Sequence, residues 1–150
     1  MEITRETDYA IRCVLYLLEK SDRVANVQEI AKAKAIPKSF LSKILQKLTK
    51  AGIAESCRGA KGGFKIVRGP EEINLLDIIE AIEGPVSMNR CAVNNKVCGL
   101  SRICSVHPVW IKLRKNIEDN LKRIKFGELI KSQKTKKNFL IRKRTDSVRY

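Results

Sequence analysis

IPKSFLSKILQKLTKAGIAESCRGAKGGFKIV, residues 36–67, divides at Gly52 into two patterns with different periods. Before the glycine, Phe40, Leu41, Ile44, Leu45 and Leu48 fall on one stripe at helical spacing, and Pro37 sits where a first helical turn tolerates it. The opposite face carries Lys38, Ser39, Ser42, Lys43, Gln46, Lys47 and Lys50, all donors and most of them cationic. After the glycine, residues 53–57 and 64–67 suit two short strands, and RGAKGG, residues 58–63, has the glycines that a hairpin turn needs.

Upstream, Asn26 followed by Glu29 has the spacing of a capping box and opens a short helix through Val27, Ile30 and Ala31. Two short helices joined tightly, the second basic on its free face, form a helix-turn-helix pattern, and a basic hairpin directly after it is a wing. Arg58 and Lys61 fall near the wing tip, where an arginine can enter a minor groove. A plain glycine-rich turn with solvated cations is the simpler alternative; the helices before it favour the wing.

The charge agrees with a polyanionic partner. Lys and Arg number 31 against 16 Asp and Glu in 150 residues, for a formal charge of +15. The excess is uneven: residues 32–68 hold ten basic side chains and one acid, Glu55. Such clustering is the footprint expected for a phosphate backbone. The N-terminus lacks a secretory pattern and no apolar run is long enough to span a bilayer, so the expected location is the cytoplasm, without membrane attachment.

The remaining elements read as helices. Thr7 or Asp8 can start a first helix whose apolar residues Ile11, Val14, Leu15, Leu17 and Leu18 recur at helical spacing, ending near Ser21 and Asp22. Asn74 caps another, with Asp77 at its third position and Leu75, Leu76, Ile78, Ile79 and Ile82 supplying its buried side, until Gly84-Pro85. From His107, an otherwise charged helix carries Trp110, Leu113, Ile117, Leu121 and Ile124 as a narrow stripe suited to a partner helix or to its own domain. The last twenty residues hold eight basic side chains and one acid; residues 134–150 read as a mobile basic arm that adds nonspecific DNA affinity.

Between these helices lies CAVNNKVCGLSRICSVHPVW, residues 91–110, with three of the five cysteines and the single histidine. Cys91, Cys98, Cys104 and His107 are four soft or borderline metal ligands in a segment without periodicity. The close cysteine pairs usual for structural zinc are absent, although a Cys3His shell suits zinc chemically. An iron–sulfur cluster is larger and accepts looser spacing with a non-cysteine ligand, which favours a cluster; zinc and three unligated thiols remain the alternatives. Cys13, in an apolar helix, and Cys57, on a wing strand, read as packing residues.

Taken in order, TDYAIR, IPKSFLSKILQKLTKAG, CRGAKGGF, and three cysteines followed by HPVW before a long helix resemble the winged-helix iron–sulfur transcription regulators typified by IscR, NsrR and RirA, over roughly residues 1–130. The resemblance implies a homodimer crossed by the helix that begins near His107, and a palindromic double-stranded DNA operator. It implies that Ser39, Phe40, Ser42 and Lys43 lie in the recognition helix and that Arg58 occupies the minor-groove position; Lys38 and Lys47 on the basic helix face and Lys61 on the wing complete the expected DNA contacts. It implies a 2Fe-2S or 4Fe-4S cluster on Cys91, Cys98 and Cys104. His107 matches the histidine of IscR-like members; Asp8 sits where NsrR-like members provide a carboxylate from the partner chain.

Two departures stand out. The gap between Cys91 and Cys98 holds six residues, one more than IscR-like sequences usually carry, and Ser42 replaces the acidic residue with which IscR reads bases.

The expectation is therefore a mainly α chain with a small β-hairpin wing: a winged helix-turn-helix over residues 1–84, a cluster-binding loop over 85–106, a dimerisation helix with a short following helix over 107–133, and the tail. Its function would be cluster-gated repression or activation, responsive to nitric oxide, redox state or iron–sulfur status. A metal-free thiol or disulfide switch, or a zinc-containing regulator, is the alternative. An enzyme using Cys104 with His107 as base has no supporting phosphate loop, carboxylate pair or triad.

Overall fold

A computed structural model describes residues 2–20 and 23–146, with side chains through residue 140. Seven α-helices and one antiparallel hairpin are present among the described residues: α1 Arg5–Glu19, α2 Val27–Lys34, α3 Lys38–Lys50, β1 Ala54–Cys57, β2 Gly63–Ile66, α4 Leu75–Glu83, α5 Arg90–Val93, α6 His107–Arg123 and α7 Phe126–Asp146. This is the winged helix-turn-helix expected from residues 36–67, followed by helical additions.

The caps explain where the helices begin. The Asn26 side chain accepts from Glu29 N–H at 2.8 Å, opening α2, but the Glu29 carboxylate turns away to accept from Tyr16 Oη at 2.8 Å. Asn74 and Asp77 form the full reciprocal box at the start of α4, at 3.1 and 3.0 Å. The first helix starts earlier than expected: Thr4 is its N-cap, and Thr7 is fully buried inside it. A hydrogen bond from Thr7 N–H to Thr4 Oγ1 at 3.3 Å fixes that start. The expected stop at Ser21 and Asp22 lies outside the described residues.

Two apolar clusters hold the winged helix-turn-helix together. Ala10 and Val14 of α1 meet Ile44 and Leu48 of α3, Ile78 and Ile82 of α4, and Phe126. On the other side, Cys13 and Leu17 meet Ile30, Leu41 and Leu45, locking α2 and α3 against α1. Each fully buried aliphatic side chain contributes about 1.5–3 kcal/mol relative to exposure, so the two stripes of α3 orient that helix strongly. A smaller cluster, Leu76, Ile79 and Val86 with Ile117 and Leu121, seats α6 on the outer face of α4.

The wing pairs Ala54 with Ile66 and Cys57 with Gly63. A third backbone segment stiffens it: Ala25 and Phe64 exchange both backbone hydrogen bonds, at 3.0 and 2.9 Å. At that crossing a Cβ on Gly63 would lie 2.3 Å from the Ala25 carbonyl oxygen, so only glycine permits the approach.

Two expectations require correction. The segment before α6 contains helical turns, α5 and a 3-10 turn over Asn95–Val97, rather than plain loop. The chain from residue 134 continues α7 as helix to Asp146 rather than as irregular chain, with residues 134–140 exposed; Lys and Arg are good helix formers, and α7 has begun on a fixed seat. Phe126, fully buried, provides that seat, with Phe126 N–H donating to Ile73 O at 3.0 Å. Residues 147–150 of the expected tail lie outside the described residues.

Candidate functional site

With α3 buried on Leu41, Ile44, Leu45 and Leu48, geometry leaves Lys38, Ser39, Ser42, Lys43 and Gln46 exposed along one face. Phe40 is partly exposed, its ring set edge-on against Tyr9 with centroids 5.8 Å apart. The Ser42 hydroxyl donates to Lys38 O at 3.0 Å, within its own helix. Arg58 and Lys61 are exposed at the wing turn, where Gly59 has φ 119° and accepts from Gly62 N–H at 3.0 Å. The structure therefore brings a donor-rich helix face and a cationic hairpin onto one small domain. Lys47 differs from its neighbours: its ammonium lies 2.8 Å from Glu6 Oε1 and donates to Ile82 O at 3.0 Å.

The α2–α3 turn depends on one residue that a sequence pattern does not flag. Ala35 caps α2 at φ 51° and ψ 48°, and Ile36 N–H donates to Ala31 O at 3.0 Å. A left-handed residue there reverses the chain within three residues, at a modest steric cost for alanine.

The cysteine segment forms the second half of the site. Cys91 lies half-buried on α5, Cys98 is half-buried after the 3-10 turn, Cys104 is exposed, and all three thiols are free. Arg114 of α6 holds this segment in place, with Nη1 donating to Ala92 O at 2.9 Å and Nε to Glu118 at 2.7 Å. Sequence reading missed Arg114, because nothing in a charged helix distinguishes an anchoring arginine from a solvated one.

Cys98 and His107 line one cavity of about 490 Å³, together with Asn95, Lys96, Ser101 and Arg102. His107 is buried, and its Nδ1 has no hydrogen-bond partner. Among the described residues no three His, Cys, Asp or Glu side chains are gathered as a metal shell. The donor set itself fits a thiophilic metal group: three free thiols and a buried ring nitrogen without a partner, two of the four belonging to residues that line one cavity. Asp8 lies on the first turn of α1, half-exposed and paired with Arg12 at 2.6 Å.

The expected partner stripe divides. Ile117 and Leu121 pack on α4 of the same chain, and Ile124 falls beyond the end of α6, its carbonyl accepting from Leu75 N–H at 3.0 Å. Trp110 is half-buried, whereas Leu113 is exposed alongside Val106, Val109 and Ile111. No helix among the described residues is long and apolar enough to cross a membrane.

Comparison with known proteins gives a consistent result. The sequence model of the Rrf2 family, described as an iron-dependent transcriptional regulator, matches residues 3–132. The regulator NsrR of Bacillus licheniformis is 32% identical over 135 residues, 89% of this chain and 94% of that protein. Among solved structures, CymR, the global cysteine regulator of B. subtilis, superposes with a TM-score of 0.69 at 22% identity over 88% of this chain and 98% of that one. T. potens IscR does so with a TM-score of 0.66 at 24% identity, covering 89% and 88%.

Proposed function

The chain belongs to the Rrf2 family of transcriptional regulators, and on that premise we propose that it is a homodimeric DNA-binding regulator whose operator affinity is set by an iron–sulfur cluster in the cysteine segment. The family is one of regulators rather than enzymes. The observation that carries the sensing half of this reading is the shared cavity of Cys98 and His107, with His107 Nδ1 buried and unsatisfied. A buried ring nitrogen without a partner is costly unless a ligand takes its lone pair or its proton finds an acceptor.

In this reading Cys91, Cys98 and Cys104 hold a 2Fe-2S or 4Fe-4S cluster. His107 is the better-supported fourth ligand, because it lines the same cavity as Cys98; Asp8 of the partner subunit is the competing ligand. When bound, the cluster supplies a centre sensitive to nitric oxide, oxidants and iron supply, and a site completed by a non-thiolate ligand is the more labile kind. The chain's own contribution is mechanical. Arg114 fixes α5 to α6, so the position of the cysteine segment and the path of α6 are linked.

On the output side, Lys38, Ser39, Phe40, Ser42 and Lys43 enter a major groove, while Arg58 and Lys61 reach the adjacent minor groove or its phosphates. The exposed apolar side chains of α6, Val109 and Leu113 foremost, pair with those of a second copy. Two readers so joined meet half-sites about 34–36 Å apart, and a palindromic operator follows from the two-fold symmetry. Such a protein works in the reducing cytoplasm, where unpaired thiols persist.

A thiol-switched regulator without metal is the second reading. It is favoured by the three free thiols of the segment, one of them exposed and open to oxidation. Anaerobic purification separates the two. The cluster reading expects a coloured protein with stoichiometric iron and sulfide, both lost in the Cys91→Ser, Cys98→Ser, Cys104→Ser variant together with the DNA response. A colourless wild type with full DNA response, or one carrying only zinc, sinks it.

A further inference from the structure

Side chains that tie the reading helix to the rest of the chain converge on the last turn of α4. Lys47 lies on the same face of α3 as the exposed donors, yet its ammonium is held between Glu6 Oε1 at 2.8 Å and Ile82 O at 3.0 Å. The next residue of α4, Glu83, accepts from Thr4 N–H and from the Thr4 hydroxyl, each at 3.0 Å, and from the Thr7 hydroxyl. Gly84 follows at φ 86°, and the chain turns from there into the cysteine segment. Two consecutive residues at the root of that segment thus grip both the reading helix and the start of α1.

This arrangement is poorly suited to phosphate binding. An ammonium has three donors; one of Lys47's is spent on the Ile82 carbonyl, and the Glu6 carboxylate beside it offsets its charge, although the side chain is still 40% exposed. Burial pushes the Glu83 carboxyl up, but hydrogen bonds from Thr7 and Thr4 and the nearby Lys47 charge outweigh it and hold the group below its usual range. The clip is therefore charged and closed at neutral pH. Hydrogen bonds weaken steeply beyond about 3.5 Å, so a shift of about 1 Å in the last turn of α4 either drags Lys47 and Thr4 along or breaks the clip.

We propose that Lys47 and Glu83 are positioning residues that couple the cysteine segment to the reading helix, and that Lys47 is not a phosphate contact. The coupling rests on the sensing role given above to the cysteine segment. The test compares full-length wild type with Lys47→Met, Glu83→Gln and Lys43→Met, using a duplex selected from a random-sequence pool by the wild-type protein. Affinity is measured against salt concentration, for protein reconstituted anaerobically with iron and sulfide and for the same protein after chelation.

Lys43→Met lowers the slope of log affinity against log salt by about 1 per protomer and keeps the ratio between the two states. Lys47→Met leaves the slope unchanged and brings the ratio, about 5–150-fold for couplings of this kind, toward about 1. Glu83→Gln does the same without altering any charge on α3, so a folding defect in one variant leaves the other to decide. A slope loss of about 1 in Lys47→Met with the ratio intact overturns the proposal. An intact ratio in both clip variants also overturns it. A wild type with no ratio overturns the sensing role itself, and the coupling falls with it.

Discussion

At the scale of single residues, the pattern is one of polar groups whose roles depend on what the fold places beside them. Glu83 is the clearest case. Its folded carboxyl is held below the usual range, so the stability it contributes is present above the unfolded value and is lost as pH falls through the folded one. Thermal melts of wild type should therefore decline on acidification, and Glu83→Gln should flatten that decline while lowering the melting temperature at neutral pH. Equal acid sensitivity in the two proteins would show that the clip is electrostatically idle. The cysteines differ in the same way. Burial pushes the Cys13 thiol up to about 12, whereas Cys104 is exposed. Because the thiolate is the reactive form, timed alkylation of native metal-free protein followed by mass spectrometry should label Cys104 first and Cys13 last. Early labelling of Cys13 would mean that α1 does not pack as described.

Among the elements, the wing is the one whose chemistry is most exacting. It pairs only two strands, and its attachment to the Ala25 segment runs through a position where a Cβ would lie 2.3 Å from a carbonyl oxygen. Gly63→Ala should cost about 1–3 kcal/mol, the usual range for forced overpacking, and should reduce DNA affinity more than Gly99→Ala, where an added methyl meets nothing. Urea unfolding and binding titrations of both variants check this; equal affinity in the two would detach the wing from recognition. The α6–α7 junction is comparably constrained, since Phe126 N–H donates to Ile73 O and Leu75 N–H to Ile124 O, both at 3.0 Å. That zipper explains why the partner stripe read from periodicity divides: its lower half serves this junction and the outer face of α4, leaving only the upper half uncovered.

For the whole molecule, the proposed dimer must use that upper half. Leu113→Asp should shift sedimentation from dimer to monomer, abolish tight operator binding and remove the dependence of the melting temperature on protein concentration, because its exposed side chain serves the interface and not the fold of one chain. Ile117→Ala, by contrast, removes packing against the cluster of Leu76, Ile79 and Val86 and should destabilise the chain itself, by about 1–3 kcal/mol. Dimeric Leu113→Asp would place the interface elsewhere. The distinction between the two leucine-like positions is invisible to a heptad count, which records spacing and not the second surface competing for the same stripe.

The reader was legible in the sequence because local rules dominate it. Helical periodicity around Leu41 to Leu48, the caps Asn26 and Asn74, and the turn glycines each act over a few residues. The cysteine spacing likewise marked out, before any coordinates, the segment proposed to bear a ligand. Long-range partners were not legible: Lys47 with Glu6 and Ile82, Glu83 with Thr4 and Thr7, Arg114 with Ala92, and the empty side of His107 Nδ1. A lysine or arginine on a helix looks the same in sequence whether its charge meets solvent, phosphate or a carbonyl from a helix dozens of residues away. Periodicity and capping chemistry determined which elements form and which faces they bury; only tertiary packing decided where each exposed charge points, because that depends on which backbone and carboxyl oxygens other elements bring within about 3 Å.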